Sequence, residues 1–338
     1  MQDFVASGPG AFLLTTVDVD QPEALELPAV VFQGSGAGSV SATLVDAGTG
    51  NLEEFPPDAA GAIVLIQRED VTFTDMESNA RAAGAVAMVV ANKEAGGIFR
   101  GNIDPSGTLP AVAVSQESGE QLRDLLANAP LDVSIDVPGE IAGSNVIAQP
   151  PSGGCRTYSG GHLDSVPWAP GANDNASGSG AVLELARAAA ASQMQSTCFV
   201  LFGGEEIGLV GSEFFVAQLS DDERARLEAY LNYDVVASDG VPLILGSLDL
   251  ADEAEALAEE LSIDVQRGQL PRDVGSDHLS FLDGGLSALM LTSPDFRLID
   301  TPEDTVENLD TVHLQSILDL GFALLRAHLP GPAPPPTP

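Results

Sequence analysis

The chain has 338 residues, of which 44% are hydrophobic and 5% aromatic, so it is long enough to bury the cores of two globular domains. It carries 50 acidic and 13 basic residues, a formal net charge of -37. Such a charge repels nucleic acid and anionic membranes, so we expect neither as a partner. The acidity fits either adaptation to high salt or a generally acidic secreted protein.

The first part of the chain predicts a small α/β unit. Residues 1–20 contain one alternating edge strand, and residues 28–48 alternate in the same way. Further on, short apolar runs predict strands, and longer amphipathic stretches predict two helices. The strands are at 62–66, 87–91, 109–114 and 131–137, and the helices at 74–83 and 116–127.

This unit resembles the protease-associated domain, a module often inserted into secreted peptidases. The resemblance covers residues 22–138 and rests on the order of strands and helices. Gln67, Arg68 and Phe73 also match the usual sequence of the family. Glu69 and Val71 stand where that family usually has Gly and Cys. Residues 1–21 are then the N-terminal part of a peptidase domain, shortened relative to the family.

The second part, residues 139–329, alternates strands and helices. Strands are predicted at 143–148, 158–162, 199–202, 229–235 and 288–291, and helices at 177–191, 212–219, 251–261 and 311–328. Such alternation predicts an α/β fold, with a mostly parallel sheet covered by helices on both faces. Ligands of such sheets bind beyond the carboxyl ends of the strands. The Pro-rich tail, 330–338, is expected to be disordered.

Residues that bind metals follow these strands. His162 ends one strand, Asp174 precedes the next helix, Glu205 and Glu206 follow a second strand, and Asp234 follows a third. Imidazole and carboxylates hold hydrolytic divalent metals, and a carboxylate can bridge two ions. Of two adjacent Glu residues, one can bind metal while the other takes a proton from water.

Two further features concern the surroundings of this site. Asp164 lies two residues after His162, so if the strand continues it shares the face of His162 and could accept a hydrogen bond from the imidazole. Cys155 and Cys198 each shortly precede a strand that leads into the site. If those strands are neighbours, the two sulfurs form a disulfide, which fits an extracytoplasmic protein; two buried free thiols are the alternative.

Taken in order, the motifs of 139–329 resemble those of the co-catalytic dizinc aminopeptidases of clan MH, the family of bacterial leucyl aminopeptidases and aminopeptidase Y. The matching segments are 161–165, 171–178, 204–212, 232–234, 276–278 and 304–308. The resemblance implies the zinc exopeptidase fold and two zinc ions per chain. It also implies that His162 and Asp234 hold one zinc and Glu206 the other, with Asp174 as the bridge.

The same resemblance assigns the remaining roles. Glu205 is implied as the general base that takes a proton from the metal-bridging water to give the attacking hydroxide, and Asp164, Asp277 and His278 as residues behind the metal ligands. The family's last ligand is a His in a Tyr-His-Thr-like segment, whereas Ile299, Asp300 and Thr301 stand here. We therefore expect Asp300 to serve as the ligand, since carboxylates also bind zinc. A weakly held or empty second site is the alternative.

These observations predict a secreted zinc exopeptidase, most simply an aminopeptidase that removes apolar N-terminal residues from peptides. We expect the leader of such a protein to be absent from this chain. One alternative is a glutaminyl cyclase-like or carboxypeptidase activity on the same scaffold. Another is an inactive protein that binds partners through its protease-associated domain. Oligomeric state is not indicated by the sequence.

Overall fold

The computed structural model describes residues 1–8, 12–19, 24–95, 97–103, 107–151, 154–270 and 275–329. The predicted disordered tail, 330–338, lies outside these residues. The chain divides into two compact units. Residues 5–142 form one unit, and residues 1–4 together with 143–338 form the other. Strand β1 (Gln2–Ser7) begins in the second of these and is part of its sheet.

The unit of residues 5–142 is a closed barrel with two helices. The barrel order is β2-β3-β7-β6-β5-β4-β8. Its strands are β2 (Leu14–Val19), β3 (Leu25–Val31), β4 (Gly38–Asp46), β5 (Ile63–Gln67), β6 (Ala87–Ala91), β7 (Ala111–Val114) and β8 (Asp132–Val137). Helix α1 (Phe73–Ala82) and helix α2 (Gln116–Leu126) begin after Thr72 and Ser115, whose hydroxyls accept backbone N–H bonds.

One domain boundary differs from the sequence analysis. Strand β2 lies within residues 1–21, which were assigned to the peptidase domain, yet it pairs with β3 and β8 of the barrel. The unit that contains the larger sheet takes only residues 1–4 from this end. Residues 1–20 also contain two strands, β1 and β2, instead of one. Alternation predicts a half-buried strand but does not indicate which sheet receives it.

The other unit is built on an eight-stranded sheet of order β1-β9-β11-β10-β12-β15-β13-β14. The remaining strands are β9 (Glu140–Ala148), β10 (Thr157–His162), β11 (Thr197–Phe202), β12 (Ala229–Tyr233), β13 (Leu243–Gly246), β14 (Gln266–Arg267) and β15 (Ala288–Thr292). The four central strands, β11, β10, β12 and β15, run parallel. Strand β9 is antiparallel to β11, and β13 is antiparallel to β15 but parallel to β14, so the predicted mostly parallel, mixed sheet is confirmed.

Helices cover both faces of this sheet, as predicted. They are α3 (Gly178–Ala191), α4 (Val210–Gln218), α5 (Asp221–Arg226), α6 (Leu248–Leu261), α7 (His278–Asp283) and α8 (Thr311–Ala327). Because side chains alternate along a strand, Leu231 packs with α3, α6 and α8 on one face. Its neighbour Tyr230 packs with Phe215 and Phe281 on the other. Strand β13 and helices α5 and α7 were not predicted.

Cys155 and Cys198 form a disulfide, which confirms the predicted pairing. Strands β10 and β11 are parallel neighbours, with Tyr158 opposite Cys198, so Cys155 lies close to its partner. The bridge is at the amino ends of these strands, opposite to the ends that carry His162 and Glu205. None of the helices in the described part of the chain combines the length and hydropathy needed to cross a bilayer.

Candidate metal centre

The candidate site lies at the carboxyl ends of the central parallel strands. His162 is the last residue of β10, and Asp234 directly follows β12. Glu205 and Glu206 come shortly after β11, and Asp174 lies in the irregular segment before α3. His162, Asp174, Glu206 and Asp234 are buried, and Glu205 is half-buried. The sheet order therefore brings together residues from four separate parts of the sequence.

The imidazole of His162 is surrounded by carboxylates. Its Nε2 lies 3.1 Å from Asp234 Oδ1 and 3.2 Å from Asp174 Oδ1. Among the described residues, two groups have ligand atoms within 4.8 Å of one another. One is His162, Asp174 and Glu206, and the other is His162, Glu205 and Asp234. Six residues were predicted to surround the metals. All of them except Asp300 thus belong to one cluster.

The hydrogen bond at the other side of the imidazole suits a metal ligand. Nδ1 of His162 lies 3.0 Å from the backbone carbonyl oxygen of Asp164, which can only accept. We therefore assign the proton to Nδ1, which leaves the Nε2 lone pair directed at two carboxylate oxygens. Nε2 of His162 and the two carboxylate oxygens are then all hydrogen-bond acceptors, and they repel one another unless a shared proton or a cation lies between them. One imidazole and several carboxylates are a donor set that fits zinc.

Burial and mutual repulsion shift the pKa values of these groups. Burial, reinforced by the charge of Asp234, raises the pKa of Asp174 to about 6. Burial also raises the pKa of Glu205 well above its usual value. For His162, burial opposes the charged form, but Asp234 and Glu205 together raise its pKa well above the usual value. The shifts indicate a cluster with an excess of negative charge, which a bound cation would neutralise.

Asp164 holds the segment that presents the two glutamates. Its Oδ1 accepts hydrogen bonds from the backbone N–H groups of Gly204 at 2.9 Å and Glu205 at 3.2 Å. Its Oδ2 accepts from the N–H of Glu206 at 3.1 Å. This contact differs from the predicted one, because the Asp164 carboxylate is 3.8 Å from the imidazole of His162. The carbonyl group of Asp164 orients the ring, and its carboxylate orients the following loop.

Asp304 supports the segment that carries Asp174, a role that the sequence analysis did not assign. Its Oδ1 accepts from the N–H of Asn173 at 2.8 Å, and its Oδ2 from the N–H of Asp174 at 3.0 Å. Its carbonyl oxygen accepts from the N–H of Ala172 at 3.2 Å. In the sequence, the only signal for Asp304 was that residues 304–308 match a segment of the family. That match did not indicate what Asp304 contacts.

A buried polar network lies behind Asp234. Tyr230 donates to Asn232, and Asn232 donates to the hydroxyl of Ser276, both at 2.7 Å. Burial alone would raise the pKa of Asp234, but the charge of His162, the hydrogen bond with His162 and a hydrogen bond from Ser276 together hold it below its usual value. This chain of hydrogen bonds fixes the position of the Asp234 carboxylate.

Asp277 and His278, predicted to lie behind the ligands, are buried at the start of α7. Both carboxylate oxygens of Asp277 are shielded from solvent, and a hydrogen bond from the hydroxyl of Ser212 helps to stabilise the charged form. Burial raises the pKa of Asp277 to about 7 and lowers that of His278 to about 4. Asp277 therefore adds to the negative charge that surrounds Glu205 and His162 without belonging to either ligand group.

Asp300 lies near the cluster but outside the two ligand groups. Its backbone is left-handed, with φ of 59°, and its carbonyl oxygen accepts a 3.0 Å hydrogen bond from the indole N–H of Trp168. Its charge contributes to the raised pKa of Asp174. His313 in helix α8 donates from Nδ1 to the Gly240 carbonyl and belongs to neither group.

Comparisons with known proteins agree on one family. The family model for peptidase family M28 matches residues 145–325, and that for the PA domain matches residues 38–122. Aminopeptidase YwaD of Bacillus subtilis is 31% identical over 309 residues, covering 83% of this chain and 65% of that protein. Leucine aminopeptidase 2 of Trichophyton equinum is 35% identical over 196 residues, covering 56% of this chain and 39% of that protein.

The fold agrees as well. A solved zinc aminopeptidase from Bacillus subtilis, BSAP, has a TM-score of 0.76 and 26% identity, covering 98% of this chain and 85% of that one. These matches confirm the predicted fold class, a zinc exopeptidase fold with a protease-associated domain. This chain spans less than two thirds of the length of the curated relatives that it matches.

Proposed function

Because this chain belongs to peptidase family M28, we propose that it is a zinc-dependent aminopeptidase, a hydrolase that removes residues from the amino end of peptides. The observation that carries the proposal is the buried cluster in which Nε2 of His162 meets Asp174 and Asp234 beside Glu205 and Glu206. The zinc aminopeptidase BSAP shares the fold.

The proposed ligands follow from this cluster. His162 and Asp234 would hold one zinc, Glu206 and Asp300 the other, and Asp174 would bridge the two. When bound, zinc supplies a Lewis acid that polarises a carbonyl and lowers the pKa of water. Asp164 and Asp304 act through backbone amides to fix the glutamate loop and Asp174, so the carboxylates are held in place before any ion or peptide arrives.

Glu205 is the proposed general base. Burial disfavours the charged form of its carboxylate and raises its pKa, so the group accepts a proton readily. It would take a proton from the attacking water and later return it to the nitrogen of the leaving amine. The surplus of carboxylates around His162 also suits the positive amino terminus of a peptide, which is what an enzyme acting at that end must recognise.

The activity is tested with leucyl-p-nitroanilide and its N-acetylated form, on zinc-loaded and chelator-treated protein. We expect zinc-dependent cleavage of the free substrate and none of the blocked one. Equal cleavage of both would contradict an aminopeptidase. Cyclisation of N-terminal Gln with one bound zinc would favour the cyclase-like alternative, and a protein with neither metal nor turnover would be a binding protein.

The role of Glu205 is tested by Glu205→Gln, which keeps the size of the side chain and removes the base. We expect zinc content to stay unchanged while kcat falls about 100- to 10,000-fold, the usual contribution of a general base. The matched control is Glu184→Gln, an exposed glutamate of α3 that pairs with Arg187. Its kcat should match the wild type. Substantial activity of Glu205→Gln would rule out the proposed role.

We further propose that the substrates have apolar first residues and that the protein works outside the cytoplasm. The leucine aminopeptidases among its relatives support the first proposal. The Cys155–Cys198 disulfide supports the second, since such bridges persist in oxidising compartments. A panel of aminoacyl-p-nitroanilides would contradict the first if acidic or basic residues were cleaved fastest. Recovery of the native protein only in the cytoplasm would contradict the second.

A further inference from the structure

Trp168 connects two loops of the candidate metal centre. It is the single tryptophan of the chain and lies in the loop between His162 and Asp174. Its indole N–H donates a 3.0 Å hydrogen bond to the backbone carbonyl oxygen of Asp300. The two residues are 132 positions apart in the sequence, so this bond joins the His162–Asp174 loop to the segment 298–304. No motif of the sequence analysis includes Trp168.

The segment 298–304 is attached to that loop at two points. At one end, Asp304 accepts three hydrogen bonds from the backbone of residues 172–174. At the other end, Trp168 holds Asp300. Asp300 itself lies in a tight turn in which the hydroxyl of Thr301 donates to the Leu298 carbonyl at 2.6 Å. With both ends attached, the turn has little freedom to rotate.

The backbone of Asp300 needs such an attachment. Its φ of 59° lies in the left-handed region, which is disfavoured for residues that have a Cβ atom. This conformation persists only when surrounding contacts hold it, and it sets the direction in which the side chain leaves the backbone. Four residues further along, Asp304 accepts the backbone N–H of Asp174 at 3.0 Å, so the turn that contains Asp300 is tied to a proposed metal ligand.

We propose that Trp168 is a positioning residue of the metal centre: its indole N–H fixes the backbone of Asp300, and with it the position from which the Asp300 carboxylate would bind the second zinc. This inference rests on the proposed function, in which Asp300 is a ligand of the second zinc. Trp168 touches no metal in this arrangement and acts only through Asp300. Its loss should therefore weaken the second ion selectively and leave the first unaffected.

The direct test is Trp168→Phe, which keeps an aromatic ring and removes the N–H donor. Both zinc dissociation constants are measured by competition with a chelating dye, which requires no hydrolysis. We expect the first constant to be unchanged and the second to rise roughly 3- to 10-fold, as for the loss of one hydrogen bond. The matched control is Tyr158→Phe, which removes a hydroxyl bonded to Gln149 at 3.0 Å and should change neither constant.

A double-mutant comparison separates positioning from a general structural role. If Trp168 acts through the Asp300 carboxylate, Trp168→Phe should have no further effect on zinc binding in the Asp300→Ala background. An equal loss in both backgrounds, or no loss in either, would overturn the inference. Thermal unfolding of each variant shows whether the chain remains folded.

The wild-type protein provides a second readout should Trp168→Phe fail to fold. Because Trp168 is the single tryptophan, quenching of its fluorescence by bound Co²⁺ reports on this position alone. We expect quenching to accompany the second equivalent of Co²⁺ more strongly than the first, and its absence would overturn the inference. If the wild-type protein binds one equivalent of metal, both the two-zinc aminopeptidase and the positioning role of Trp168 are overturned. If it binds two equivalents but hydrolyses no substrate, only the proposed aminopeptidase activity is overturned.

Discussion

Asp164 offers a sharp test of how the glutamate loop is positioned. Its carboxylate accepts the backbone N–H groups of residues 204–206 at distances between 2.9 and 3.2 Å. Asp164→Ala removes all three acceptors and leaves Glu205 and Glu206 themselves unchanged. The substitution therefore perturbs the position of the two glutamates without altering their chemistry.

The expected magnitude follows from these contacts. A hydrogen bond to a charged group is worth about 1.5–3 kcal/mol, but the Asp164 side chain is 27% exposed, so water can replace part of each bond. At about 1 kcal/mol for each of the three bonds, the ordered loop loses about 3 kcal/mol. That free energy corresponds to roughly a 100-fold weaker hold on the metal that Glu206 contacts. Residues behind metal ligands typically change affinity about 10- to 100-fold.

The assay is zinc competition on the purified variant, combined with denaturant unfolding and kcat for leucyl-p-nitroanilide. The matched control is Asp310→Ala, which also removes a carboxylate that accepts two backbone N–H groups, here at the start of α8. It should lower the free energy of unfolding by about 1 kcal/mol and leave zinc affinity unchanged. Wild-type zinc affinity in Asp164→Ala would refute this account of the loop.

Three further outcomes follow from the structure. Replacing Cys155 and Cys198 by Ser should lower the free energy of unfolding by about 2–4 kcal/mol, because the bridge closes a 43-residue separation; zinc content should persist, and its loss would contradict this prediction. In metal-free protein, Asp277 has a folded pKa of about 7, above its unfolded value of 3.8, so the free energy of unfolding should fall as pH rises from about 4 to about 7. Asp277→Asn should remove that part of the pH dependence. An unchanged dependence of the free energy of unfolding on pH would refute the role given to Asp277. Asp300→His should keep or raise activity, whereas an Asp300→Ala variant with unchanged zinc content and rate would exclude Asp300 as a ligand.

Much of the sheet was predictable because its strands are short, apolar and bounded by turn residues. Predicted and observed bounds of β6 agree, and those of β10 and β11 differ by one or two residues at one end. The missed elements β13 and α7 are short, and α5 is a strongly charged helix. Periodicity over so few residues does not distinguish an element from a loop.

The sequence by itself determined which residues could serve the site, since His162, Asp174, Glu205, Glu206 and Asp234 each follow a strand or precede a helix in motifs that are local. The tertiary structure alone decided which backbone groups hold them. Asp164 faces the amides of a loop after another strand, Asp304 faces the amides around Asp174, and Trp168 reaches Asp300. The reason is physical: the spatial order β11-β10-β12-β15 differs from the chain order, and a hydrogen bond between distant segments leaves no periodic trace in the sequence.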